Sequence, residues 1–70
     1  MPRFCVNKNA QPGGEHEVHN LDVARTCLPE PHNQLYLGVF PSCHEAIDAA
    51  RKHYSNVDGC KNCAPACHKR

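Results

Sequence analysis

The chain has 70 residues and a formal net charge of +1 with neutral histidines. Its hydrophobic fraction is 40%, a figure that includes six cysteines, and it has no tryptophan. A domain of this size buries only about 60% of the surface that its unfolded chain exposes. Its core supplies about 3–5 kcal/mol at most, so cysteine or histidine cross-links must add to it. The small net charge excludes a strong overall field for nucleic acid or membranes.

The first twenty residues predict a β-hairpin. Residues 3–7 form the first strand, with two apolar side chains on one face. Residues 11–14, Gln-Pro-Gly-Gly, are typical of a turn because proline presets φ and glycine accepts a positive φ. Residues 15–19 return as the second strand, and one possible register places Cys5 beside His19.

The middle of the chain predicts a loop followed by a third strand. Residues 20–33 are rich in proline and asparagine, and we expect Cys27 to anchor this loop. Residues 34–40 form a strand with apolar side chains on both of its faces, which favours a central position in the sheet.

Ser42 and Glu45 form a capping box that predicts the start of a helix over residues 43–54. Residues 55–59 are expected to break this helix and lead into the last segment. The predicted buried stripe consists of Cys43, Ala46, Ile47, Ala50 and Tyr54. The sequence therefore predicts one α+β domain over residues 1–70, with a hairpin and a third strand packed on one helix and cross-linked by zinc or disulfides.

The last eleven residues hold a dense cluster of metal-ligating side chains. Cys60 and Cys63 have the two-residue spacing of a zinc knuckle. Cys67 and His68 are adjacent, and neighbours on an extended chain point apart, so one of them is surplus. Cys43 is the better fourth ligand, because the positive end of a helix dipole stabilises a thiolate. These residues predict a first zinc site.

A second, weaker site draws on Cys5, His16, His19 and Cys27. The segment His-Glu-Val-His at 16–19 is not the zincin motif, which needs two histidines four apart on a helix. On a strand the two rings face opposite ways, and His16 is equally well a solvent-facing imidazole. The candidate metal ligands for the whole chain are Cys5, His19, Cys27, Cys43, Cys60, Cys63, Cys67 and His68.

Disulfides are the rival way to stabilise this chain. Six cysteines can pair in 15 ways, and bridges between the early and the late cysteines contribute about 2–4 kcal/mol each. A mixture of one disulfide and one zinc ion is a third arrangement. With zinc at both sites we expect six free thiols. Cys60-x-x-Cys63 also allows a thiol redox protein, although a thioredoxin-like motif should follow a strand and begin a helix.

The residues point to binding or regulation without catalysis. No catalytic triad or carboxylate pair stands out, so we expect no enzyme activity. The start of the chain lacks the apolar stretch of a signal peptide, which predicts a cytoplasmic protein; disulfides would instead indicate a secreted or periplasmic one. We expect a protein partner and no membrane span. Nucleic acid is a weaker candidate, because the basic end after residue 51 lacks an aromatic platform for bases.

The order of these motifs resembles a group of short, uncharacterised bacterial proteins rich in Cys and His. The resemblance rests on His-Glu-Val-His at 16–19, Cys27-Leu-Pro, Ser-Cys before the helix and Cys-x2-Cys-x3-Cys-His at the end, and it spans most of the chain. It implies a bacterial origin and no particular activity. We therefore expect a zinc-stabilised binding or regulatory module, or alternatively a disulfide-stapled envelope or secreted protein.

Overall fold

The fold is a four-stranded sheet with one α-helix on one face, in a computed structural model that describes residues 1–23 and 26–69. The elements in chain order are β1 (Arg3–Asn7), β2 (His16–Asn20), a 3-10 turn (Pro31–Asn33), β3 (Gln34–Val39), α1 (Cys43–Ala50), β4 (Val57–Gly59) and a second 3-10 turn (Pro65–Cys67). The predicted α+β class is confirmed.

The predicted hairpin is formed by β1 and β2, which pair in antiparallel orientation. Cys5 lies opposite His19, which is the register that the sequence allowed as one possibility. The connecting turn is closed by the N–H of Gly14, which donates to the carbonyl of Gln11 at 2.7 Å. Gly14 has a φ of +93°, a conformation that favours glycine.

Strand β3 lies at an edge of the sheet, so the expectation that it is central is wrong. The strand order is β3-β1-β2-β4. The pairing with β1 shifts register between Phe4 and Cys5, and Gly38 has a φ of +122° there. Such a bulge interrupts the alternation of side chains between the two faces of the sheet. This explains why β3 has apolar residues at both odd and even positions. Tyr36 and Val39 remain 57% and 47% exposed.

Strand β4 was not predicted, because residues 55–59 were expected only to break the helix. It pairs in parallel with β2 and places Gly59 opposite Val18. The N–H of Cys60 then donates to the carbonyl of Val18 at 2.9 Å. This pairing brings the start of the terminal cysteine cluster to the end of β2.

The predicted capping box starts helix α1. The Ser42 hydroxyl oxygen accepts a hydrogen bond from the N–H of His44 at 3.2 Å, and the hydroxyl donates to the carboxylate of Glu45. The helix ends at Ala50, earlier than predicted, because the next turn tightens into hydrogen bonds between residues three apart. Within the described residues, no helix combines the length and apolar character that crossing a membrane requires.

The core lies between α1 and one face of the sheet. The predicted stripe is confirmed, since four of its five residues are buried and Tyr54 packs partly buried against them. The buried side chains on the sheet side of this core are Phe4, Val6 and Val18, and Leu35, Leu37 and Val57 pack partly buried against the core. Since side chains alternate along a strand, Cys5 and His19 point to the opposite face of the sheet.

Candidate metal centre

Four metal-ligating side chains meet at the end of β2. They are His19, Cys27, Cys60 and Cys63, and their donor atoms all lie within 4.8 Å of one another. A zinc ion with Zn–S distances of about 2.3 Å holds its tetrahedral donors about 3.8 Å apart. Three cysteines and one histidine form one of the usual donor sets of structural zinc sites. The cluster can therefore hold a metal ion.

Three separate segments supply these donors. His19 belongs to β2, Cys60 directly follows β4, and Cys27 comes from the loop before the first 3-10 turn. The turn after β4 is closed by the N–H of Ala64, which donates to the carbonyl of Cys60 at 2.8 Å. This turn directs the side chain of Cys63 towards the other three donors. A metal ion here would tie the loop and the last segment to the sheet.

The surroundings of the sulfurs suit bound thiolates. The N–H of Asn20 donates to Sγ of Cys63, and the N–H of Asn62 donates to Sγ of Cys60, each at 3.4 Å. Burial raises the pKa of the Cys63 thiol well above its usual range, and the neighbouring thiols of Cys27 and Cys60 raise it further, while the Asn20 N–H opposes them. Three thiolates this close need a cation to compensate their charge.

His19 is held in the form that binds metals. Its Nδ1 atom lies 3.5 Å from Sγ of Cys63, and burial lowers its pKa, which favours the neutral imidazole. Within the described residues its buried Nε2 atom has no hydrogen-bond partner, although a Glu17 carboxylate oxygen lies 3.8 Å away. Metal-bound histidines usually donate their second N–H to a carboxylate, so Glu17 is placed to orient the ring.

Cys5 and His16 lie outside this set of donors. Cys5 is fully buried opposite His19, but its sulfur is not among the four mutually close donor atoms. His16 points to the helix face, where its ring stacks on Tyr54 at 3.8 Å between centroids. Its Nδ1 atom donates to the carbonyl of Asn7 at 2.9 Å. The opposite orientation of the two histidine rings agrees with the alternation expected of a strand.

Cys43 and Cys67 form a disulfide, with their Cα atoms 6.2 Å apart. The division of the cysteines therefore differs from the predicted one, in which Cys43 completes the site of Cys60 and Cys63. Strand β4 carries those two residues to His19, whereas Cys67 turns back to the start of α1. All six cysteines lie in the described residues, and four are free, so the expectation of six free thiols is wrong.

Gly59 makes the return of Cys67 possible. A Cβ atom on this glycine would lie 2.7 Å from Cβ of Cys67 and 2.8 Å from the carbonyl oxygen of Ala64. No side chain fits at these distances. Glycine at this position therefore lets the disulfide and the turn after β4 pack side by side.

His68 fixes the end of the chain instead of joining the four donors. Its Nδ1 atom donates to the carbonyl of Gly59 at 3.0 Å and lies 3.4 Å from the carboxylate of Asp58. Asp58 also accepts from the N–H of Lys69 at 2.9 Å. These hydrogen bonds hold His68 and Lys69 against β4.

His44 is a candidate ligand that sequence reasoning missed. Its Nδ1 atom lies 3.6 Å from Sγ of Cys67, and the donor atoms of His44, Cys43 and Cys67 all lie within 4.8 Å of one another. His44 is exposed and lies off the apolar stripe of α1. No spacing motif marked it, because its partner Cys67 is distant in the chain.

Comparison with known proteins gives no relative. No protein-family model matches the chain, and neither the curated proteins nor the solved structures contain a significant match. The function must therefore be argued from the site itself.

Proposed function

We propose that the protein is a small non-catalytic binding or regulatory module whose fold is closed by a zinc ion at His19, Cys27, Cys60 and Cys63. The observation that carries this proposal is the convergence of three thiols and one imidazole, from three separate segments, within 4.8 Å. Soft thiolate ligands in a tetrahedral arrangement favour zinc over the oxygen-seeking cations magnesium and calcium.

A structural role for the ion follows from the number of protein ligands. Four protein donors complete a tetrahedron, whereas catalytic zinc keeps one position for water or substrate. Zinc binding in small domains provides about 10–16 kcal/mol of apparent free energy. A core of this size provides about 3–5 kcal/mol. In this proposal the ion therefore supplies the larger share of the folding free energy.

The proposed partner is another protein. Edge strand β3 carries Tyr36 and Val39, whose side chains are exposed, and no strand among the described residues pairs with its outer edge. Such an edge can accept a strand from a partner. The resemblance to short bacterial proteins adds a bacterial origin to the proposal. Nucleic acid is the weaker candidate, since the basic terminal segment has no Phe, Tyr or Trp after Tyr54 on which bases could stack.

The disulfide supports a second candidate, a small secreted or envelope protein. The bridge joins residues 24 apart and closes the start of α1 onto the last 3-10 turn. Such a loop corresponds to about 3–4 kcal/mol of stabilisation. Disulfides persist mainly in oxidising compartments. In this alternative the four donors, His19, Cys27, Cys60 and Cys63, would still hold the metal.

Chelation tests the zinc proposal. Zinc-loaded protein without reductant should give a dispersed amide spectrum that collapses when a strong chelator removes the metal at neutral pH. His19→Ala should show the same collapse, whereas His16→Ala, on the same strand but the opposite face, should keep its zinc. The proposal is wrong if the purified protein contains no zinc and its amide spectrum does not change when the chelator is added.

A further inference from the structure

The start of α1 carries a second cluster of donors beside the disulfide. Cys43, His44 and Cys67 are separate from the four-donor cluster, and the proposed function does not use them. We propose that the Cys43–Cys67 disulfide and a second divalent metal ion are alternative occupants of these three side chains. Reduction of the disulfide by a thiol would convert a covalent cross-link into a metal site.

The backbone already places the three donors for this exchange. The Cα atoms of Cys43 and Cys67 lie 6.2 Å apart, and Nδ1 of His44 lies 3.6 Å from Sγ of Cys67. A tetrahedral zinc ion needs its sulfurs about 3.8 Å apart, which the reduced cysteines reach by side-chain rotation. Cys43 is also the first residue of α1, where the helix dipole stabilises a thiolate.

The exchange balances with two molecules of an external thiol. The thiolate of the first attacks one sulfur of the disulfide, forms a mixed disulfide and releases the other cysteine as a thiolate. The thiolate of the second attacks the external sulfur of the mixed disulfide and displaces the protein cysteine, so that the two external thiols leave as their own disulfide. Cys43 and Cys67 gain two electrons and two protons in total. A divalent metal ion then replaces both thiol protons, which pass to the solvent.

A cleft gives reagents access to this position. It has a volume of about 320 Å³, and both His44 and Cys67 line it. Asp48 and Asp58 also line the cleft, and so do Arg51 and Lys69, so the charges of its lining balance and the three donors themselves must hold the ion. Three protein donors leave one position of a tetrahedron for water from the cleft. This open position distinguishes the second site from the four-donor cluster.

The consequence is a metal content that depends on the redox state. The oxidised chain should hold one ion at the four-donor cluster, and the reduced chain should hold a second one at the start of α1. His44 changes from an exposed side chain to a ligand in this process. Metal binding at the start of α1 therefore depends on whether external thiols keep Cys43 and Cys67 reduced.

Cobalt titration of the full chain tests this inference. Anaerobic Co²⁺ is added to oxidised protein and to protein reduced with a phosphine, which offers no thiol ligand, and bound ions are counted by native mass spectrometry. We expect one Co²⁺ per oxidised chain and two per reduced chain. His44→Ala should lose the second ion from the reduced chain, whereas the matched control His53→Ala, at an exposed histidine after α1, should keep it.

Three results would overturn the inference: a reduced chain that binds the same number of ions as the oxidised chain, a second ion bound by the oxidised chain, or a second ion kept by His44→Ala. A Cys43→Ser/Cys67→Ser variant should bind one ion in both conditions. If that variant does not fold, His44→Ala still decides, because it leaves the disulfide and the core intact. The ion count of the oxidised chain isolates the proposed function, on which the first ion rests. An oxidised chain without Co²⁺ would contradict the four-donor site, whereas the ion gained on reduction, and its loss in His44→Ala, test only this inference.

Discussion

Nδ1 of His19 lies 3.5 Å from Sγ of Cys63, although 44 residues separate them in the chain. The contact joins the end of β2 to the turn that follows β4. The terminal segment is also held by the Cys43–Cys67 disulfide and by Ala64, which is buried in the core. In the proposed function, a metal ion shared by His19 and Cys63 adds a further attachment at the end of β2.

Glu17 should strengthen metal binding through His19. Its carboxylate oxygen lies 3.8 Å from the buried Nε2 atom of that ring. Glu17→Gln should lower zinc affinity about 10–100-fold, because outer-shell carboxylates orient the ligand and increase its basicity. Competition with a chromophoric chelator measures this change.

Glu30→Gln is the matched control for this substitution. Glu30 lies 3.8 Å from His32 with the same two-residue spacing, but both side chains are exposed and neither belongs to the cluster. Zinc affinity should be unchanged in this variant. Equal affinities for the two variants would show that Glu17 does not act on the metal site.

The local elements of the fold could be predicted from the sequence because their signals are local. A Pro-Gly-Gly turn between two short strands predicted the hairpin and left the pairing of Cys5 with His19 as one possible register. Ser42 and Glu45 predicted the start of the helix, and a 3.6-residue period predicted its buried face. Each of these features depends on residues within one turn or one strand pair.

The grouping of the ligands could not be predicted, because it depends on β4. This strand has three residues, Val57–Gly59, and the acid and the glycine among them carry no strand signal. Its parallel pairing with β2 decides that Cys60 meets His19 and that Cys67 meets Cys43. The edge position of β3 was missed for a related reason, because a bulge at Gly38 imitates the pattern of a central strand.

Cys5 should be dispensable for metal binding. It is buried beside the cluster but lies outside the four donors, whereas Cys27 belongs to them. Cys5→Ala should keep the zinc and lower the free energy of unfolding by about 1–3 kcal/mol through lost packing. Cys27→Ala should lose the zinc. Native mass spectrometry with denaturant unfolding measures both, and zinc loss in Cys5→Ala would make Cys5 a ligand.

Cys5 should also make the zinc-loaded protein sensitive to alkali. Burial, with Cys27 nearby, raises the pKa of the Cys5 thiol from 9.0 to about 11. The unfolded chain therefore releases this proton at a lower pH than the folded protein does. The contribution of Cys5 to the free energy of unfolding should be constant below pH 9.0 and should fall by about 2–3 kcal/mol as the pH rises towards about 11.

Cys5→Ala removes this titrating group and serves as the control. Its denaturant unfolding curves, measured at several pH values between about 8 and 11, should lose less stability than those of the wild type. Parallel losses in the two proteins would mean that another group carries the alkaline sensitivity.

Gly59→Ala should disturb both the disulfide and the metal cluster. The added Cβ would lie 2.7 Å from Cβ of Cys67, and Cys60 is the next residue in the chain. Overpacking of this kind costs about 1–3 kcal/mol, and zinc affinity should fall with it. Gly14→Ala has space but a positive φ, so it should cost about 1–2 kcal/mol and leave zinc affinity unchanged.

The most direct test of the account is the intact mass of the oxidised protein under native and denaturing conditions, with alkylation of its thiols. We predict one zinc ion per native chain, four alkylated thiols after denaturation and one disulfide between Cys43 and Cys67. A native chain without zinc, or a denatured chain with no alkylated thiols, would contradict the proposed metal centre.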